Sequence, residues 1–197
     1  MQPNKTAQTR NATFTKPANT LFTTGHSTRT FEELVDLLKC HGVAAVADVR
    51  LIPRSRRYPH FNDDYLAGNL PAAGIQYFPF KQLGGRRRPA EDSLNTGWRN
   101  ESFRGYADFM QTPAFERALA ELMDQARQTP TATMCAEAVP WRCHRSLISD
   151  ALLVRGWRVL DIMGPAKVSP HRLTSFARVE STTIIYPDVE EGEGLFK

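Results

Sequence analysis

At 197 residues, 41% of them apolar and 23% charged, the chain suits one domain with a substantial core. No run approaches the roughly 18–20 consecutive apolar residues of a membrane helix, so no membrane span is expected. Three cysteines are an odd number and argue against a disulfide framework; a reducing, cytoplasmic setting is the expectation. The net charge of +4 is unevenly placed: Arg50, Arg54, Arg56, Arg57, Lys81, Arg86, Arg87 and Arg88 face only Asp63 and Asp64 in the same segment. That clustering favours an anionic partner, a phosphate-bearing small molecule or a nucleic acid.

Residues 1–20 are rich in Thr, Asn and Gln and are expected to be a disordered tail ahead of a single domain over 21–197. Leu21 to Thr24 predicts a first strand, ending at Gly25-His26-Ser27. Thr30 and Glu33 form a capping box for a helix striped by Phe31, Leu34, Val35 and Leu38, with Gly42 at its C-terminal end. Val43 to Val49 is a run of small apolar residues, the pattern of a strand buried on both faces. It ends in Asp48-Val49-Arg50, and Pro53 stops regular structure within Leu51 to Arg57.

Asn62 or Asp63 caps a second predicted helix reaching about Asn69, with Pro71 ending it and Ile75 to Phe80 forming the third strand. Lys81 to about Arg104 reads as a long irregular connection containing Leu83-Gly84-Gly85 and Arg86-Arg87-Arg88. Thr112-Pro113 starts a helix striped by Phe115, Leu119, Leu122, Met123 and Ala126. Thr131 to Cys135 is the fourth strand, followed by a helix whose first turn carries Cys143, His144 and Arg145. Trp157 to Met163 is a fifth strand, and Thr182 to Tyr186 is strand-like. This alternation predicts an α/β fold: an open, mainly parallel, doubly wound and Rossmann-like sheet of about five strands with helices on both faces.

In such sheets ligands bind beyond the carboxyl ends of the strands. Four consecutive strands here deliver polar or glycine-rich residues at that end: His26-Ser27, Asp48 to Arg50, Gly84-Gly85 and Cys135 to Glu137. With the strands in the order 3-2-1-4-5, His26, Ser27, Glu137 and Cys143 share one crevice. His26 and Glu137 are the candidate proton-transfer pair and Cys143 the candidate nucleophile, placed beside Arg142 and Arg145 at a helix start. Arg50, Arg54 and Arg145 are candidate anion donors, with Ser27, Asp48, Ser55, Gly84, Gly85 and His144 completing the ligand-binding set. Cys135, inside a buried strand, reads as a core residue. A phosphatase-type cradle does not fit, because six residues separate Cys135 from Arg142, Glu137 repels a dianion and Pro140 lacks an amide donor. The spacing of Cys135, Cys143 and His26 does not suggest a zinc site, and the residues point to no particular cofactor.

Together, Gly25-His26-Ser27, Asp48-Val49-Arg50 with Pro53 and Ser55, Leu83-Gly84-Gly85, and Cys135-Ala136-Glu137 with Cys143-His144-Arg145 resemble the domain of unknown function 488 family. The resemblance runs from about Leu21 to Arg178 and implies a bacterial-type α/β domain; it brings no mechanism with it. The residues themselves favour binding of, or hydrolysis or transfer on, a phosphate-bearing ligand, a nucleotide or nucleic acid. The alternatives are a non-catalytic nucleic-acid module using the arginine loops, a thiol redox protein or a metal-binding protein.

Overall fold

A computed structural model describes residues 19–188. Its centre is a sheet built from β1 (Thr20–Gly25), β2 (Ala45–Asp48), β3 (Gln76–Pro79), β4 (Thr131–Cys135), β5 (Arg158–Gly164) and β6 (Lys167–Pro170). The order is β3-β2-β4-β1-β5-β6, parallel throughout except for the antiparallel β5–β6 pair. A separate antiparallel hairpin joins β7 (Arg178–Glu180) and β8 (Thr183–Ile185). Among the described residues, no helix is long and apolar enough to cross a membrane.

The helices are α1 (Phe31–Cys40), α2 (Asp63–Ala72), α3 (Glu101–Phe109), α4 (Pro113–Gln128) and α5 (Arg145–Leu153). The capping box forms as its residues dictate: Thr30 accepts from the Glu33 amide while Glu33 accepts from the Thr30 amide. The apolar stripe of α1 packs with Leu66 and Leu70 of α2 against Val46, Met134 and Ile162 on one face of the sheet. The stripes of α3, α4 and α5 pack against Ala47, Val49 and Val159 on the other. The open α/β sheet covered by helices on both faces is therefore present.

Several details differ from expectation. The order 3-2-1-4-5 is corrected, because β4 lies between β2 and β1 and all five of its residues are buried. The short strands have similar apolar character, so composition does not say which edges pair. Helix α2 continues through Pro71 to Ala72, and α3 occupies the end of what reads as irregular chain. Strands β6 and β7 had no counterpart in the sequence reading. Most of the expected N-terminal tail lies outside the described residues.

Candidate functional site

Because β1 to β4 run parallel, their carboxyl ends share one edge of the sheet. There the chain leaving β1 clings to the chain leaving β4: the His26 amide donates to the Cys135 carbonyl (2.9 Å) and the Ser27 amide to the Ala136 carbonyl (3.0 Å). Gly25 permits this approach, since a Cβ there would lie 1.7 Å from the Glu137 carbonyl oxygen. Ser27 then turns the chain in the left-handed region, at φ 53°. Beyond these ends lies a cavity of about 240 Å³ lined by Arg50, Leu51, Ile52, Gly85, Arg86, Cys135, Ala136, Glu137 and His144.

Two thiols and an imidazole form its chemical centre. One donor atom each from Cys135, Cys143 and His144 lies within 4.8 Å of the others. The 3₁₀ turn Pro140–Arg142 carries Cys143 to the start of α5, so Cys143 precedes the helix and His144 is its N-cap. The nitrogen Nε2 of His144 is 2.9 Å from the Val49 carbonyl, which can only accept, so Nε2 carries the proton. Nδ1, left as an acceptor, lies 3.7 Å from the Cys143 sulfur. Burial lowers the pKa of His144 and keeps the ring neutral. Gly85 makes room for this ring, because a Cβ there would sit 2.9 Å from Nδ1.

The Cys143 thiol is pulled down to about 6, chiefly by a hydrogen bond from Cys135; burial opposes the shift, and the charge and main-chain amide of Arg145 reinforce it. Cys135 moves the opposite way: donating to Cys143, and buried, it holds its proton well above the ordinary thiol range. The two sulfurs thus share one proton and one negative charge. Arg145 is 1% exposed. Its Nη1 donates to Thr23 Oγ1 and its Nη2 to the Glu137 carbonyl, both at 2.7 Å, while Nε is buried without a well-formed bond. Among the described residues no carboxylate forms an ion pair with it.

The other expected site residues divide into two groups. Arg50 is on the cavity wall but is held by Asp48, which accepts from its main-chain amide, Nε and Nη2. Asp48 also accepts from the Tyr77 hydroxyl at 2.9 Å. His26 stacks on Phe61 with centroids 4.1 Å apart, and its Nδ1 donates to the Ser27 carbonyl. Its Nε2 faces Arg50 Nη1 at 3.3 Å. Burial and then Arg50 lower its pKa to about 4. Both ring nitrogens are thus engaged, one by the Ser27 carbonyl and the other by Arg50. Glu137 lines the cavity with its side chain exposed, and holds Arg145 through its main chain rather than its carboxylate.

Arg54 is 62% exposed and paired with Asp63 and Asp64, Ser55 accepts from the Tyr58 amide, and neither lines the cavity. Gly84 packs on Leu51 beside the cavity. Arg87 donates to the Gly84 and Gln82 carbonyls and stacks on Phe109, 3.8 Å from the ring centre. The residue that the sequence reading assigned to the core and the structure brings to the wall is Cys135, 9% exposed. Its position as the last residue of β4 was the available signal.

Two thiolates and an imidazole this close are a donor set for a thiophilic ion, and the charge balance disfavours a divalent one. Two thiolates and a divalent cation sum to zero, which would leave the buried Arg145 guanidinium uncompensated. One shared thiolate balances it.

No curated protein and no solved structure matches the chain. Residues 30–152 match a family model, a segment that holds the Asp48 to Arg50, Leu83 to Gly85 and Cys135 to Arg145 motifs and begins after Gly25-His26-Ser27. With well over half its length matched, the chain belongs to the family described as Domain of unknown function DUF488.

Proposed function

We propose that this domain is a thiol-dependent enzyme in which the Cys135–Cys143 pair attacks a phosphate-bearing ligand held in the cavity beside Arg50, Gly85 and Arg86. The observation that carries the reading is the buried Arg145 without a carboxylate partner. A desolvated guanidinium costs several kcal/mol unless a counter-charge meets it, and the sulfur of Cys143 is the group it acts on. Arg145 is then a positioning residue that fixes a thiolate beside the cavity.

The chemistry follows from which sulfur faces the ligand. Cys143 holds the resting charge, while Cys135 lines the cavity. As the ligand enters, the proton of Cys135 crosses to Cys143, and a lone pair on the Cys135 sulfur forms a bond to the electrophilic atom. The leaving group departs with the electron pair of the bond that breaks and takes the proton from Cys143, relayed by Nδ1 of His144, which restores the Cys143 thiolate. Water then attacks the same atom, giving its proton to Glu137; the bond to the Cys135 sulfur breaks with its electron pair going to sulfur, and the proton passes from Glu137 to that sulfur, while a second acceptor in place of water completes transfer. Arg86, exposed at the rim with φ 62°, supplies positive charge toward a phosphate. The nucleic-acid alternative draws on the same loops, where Arg54 and Arg87 are engaged within the fold while Arg86 and Arg88 are exposed.

The test is alkylation by iodoacetamide as a function of pH, with peptide mass spectrometry to locate the label. The expected result is uptake at the Cys135–Cys143 pair with a midpoint near 6, slowed by inorganic pyrophosphate. A midpoint near the ordinary thiol value of 9.0 would remove the thiolate. So would tight Co²⁺ binding with a sulfur-to-metal absorption band, which would replace the enzyme reading with a metal centre.

A further inference from the structure

A second cavity, of about 420 Å³, shares no lining residue with the thiol cavity; its wall includes Trp98, Trp141, Asp161, His171 and Arg172. Two polar atoms from this wall, Asp161 Oδ1 and Trp98 Nε1, are buried without a hydrogen-bond partner. Buried polar groups are nearly always satisfied, so an orphan acceptor and an orphan donor on one cavity call for an explanation. Asp161 is 8% exposed and turns its other oxygen to His171 Nδ1 at 3.5 Å.

The neighbouring groups are already engaged. Asp150 accepts from His171 Nε2, from the Thr174 amide and hydroxyl, and from the Tyr186 hydroxyl. His171 is held between the two carboxylates, which outweigh the effect of burial and raise it to about 9. Asp150 is therefore fully engaged, and Asp161 Oδ1 is where hydrogen-bonding capacity remains. Trp141 lines the same cavity, a large aromatic left 65% exposed. Its indole leaves a flat apolar face open beside the cavity.

We infer that this cavity is a second ligand site, built for a flat nitrogen heterocycle of the nucleobase kind, whose face stacks on Trp141 and whose edge gives an N–H to Asp161 and accepts from Trp98. An exocyclic amino group beside a ring nitrogen supplies that donor and acceptor together. Stacking on an aromatic side chain tolerates any base, so Trp141 provides affinity while the Asp161 and Trp98 pair selects the edge.

Equilibrium dialysis of the full chain with labelled guanosine and adenosine tests the site. These nucleosides carry no phosphate, so the outcome does not depend on the thiol reading. Saturable binding of at least one is expected, weakened about tenfold or more in Trp141→Ala and also reduced in Asp161→Asn. Trp141 is a surface residue, so Trp141→Ala should keep the wild-type melting temperature and the wild-type alkylation of the two thiols. Absence of saturable binding by either nucleoside overturns the inference. So does binding of equal strength in wild type and Trp141→Ala.

Discussion

Arg145 and Gly85 are the residues through which the thiol centre can be tested without touching a sulfur. Arg145 reaches Thr23 on β1 and the Glu137 carbonyl beyond β4, so its loss leaves buried partners as well as a thiolate unmet. We expect Arg145→Ala to cost about 3–5 kcal/mol and to move the alkylation midpoint from near 6 toward 9.0. Arg145→Lys keeps the charge but not the fork, and its midpoint should fall between. Urea unfolding and the alkylation profile read the two effects separately. Gly85→Ala drives a methyl group onto His144 Nδ1 and should cost about 1–3 kcal/mol through overpacking. Displacing the ring should also slow alkylation of the two thiols, read from the same pH profile. The sequence revealed that Cys143, His144 and Arg145 belong together. It could not reveal that Arg145 lacks a carboxylate, because ion-pair partners come from distant segments and a guanidinium is usually at the surface.

At the level of elements, legibility followed the strength of local signals. Helix α1 has a reciprocal cap and a clean stripe, and α4 has Thr112 followed by Pro113; both were readable from residue order. Helix α3 was not. It is short, is interrupted by Gly105, and follows a loop without periodicity. Gly105 is there because the Arg87 carbonyl passes 2.5 Å from where its Cβ would be, a tertiary reason invisible in one segment. The cap of α3 nevertheless forms, with Asn100 accepting from the Ser102 amide at 2.9 Å. Asn100→Ala should therefore destabilise the protein by about 1 kcal/mol, measured by urea unfolding. An equal loss in Asn95→Ala is not expected: Asn95 is buried, donates to Asp108 and accepts from the Tyr186 amide, so its removal should cost more. Helix α2 shows the opposite limit of local reasoning. Pro71 lies so near the end of α2 that one further residue follows it before the helix stops.

On the scale of the molecule, the edge where the strands end was predictable from the parallel alternation, while the order of strands was not, since edge pairing depends on the whole sheet. The same whole-molecule view gives a prediction about pH. His171 is raised from 6.5 to about 9, so its contribution is complete below pH 6.5 and is lost as pH rises through 9. Cys143 is lowered from 9.0 to about 6, so its contribution is complete above 9 and is lost as pH falls through 6. His26, lowered from 6.5 to about 4, favours the fold when neutral and withdraws that support as pH falls from 6.5 toward 4. Between pH 6.5 and 9 the first two effects oppose each other with similar reach, so the wild-type melting temperature should stay nearly level there and drop below 6.5. Removing one side exposes the other. Over the same interval the melting temperature of Cys143→Ser should fall by several degrees as pH rises, and that of His171→Asn should climb by a similar amount. Calorimetry in half-unit pH steps decides it. If both variants keep the level profile of the wild type, neither the shared thiolate nor the imidazolium between Asp150 and Asp161 carries the charge given to it here.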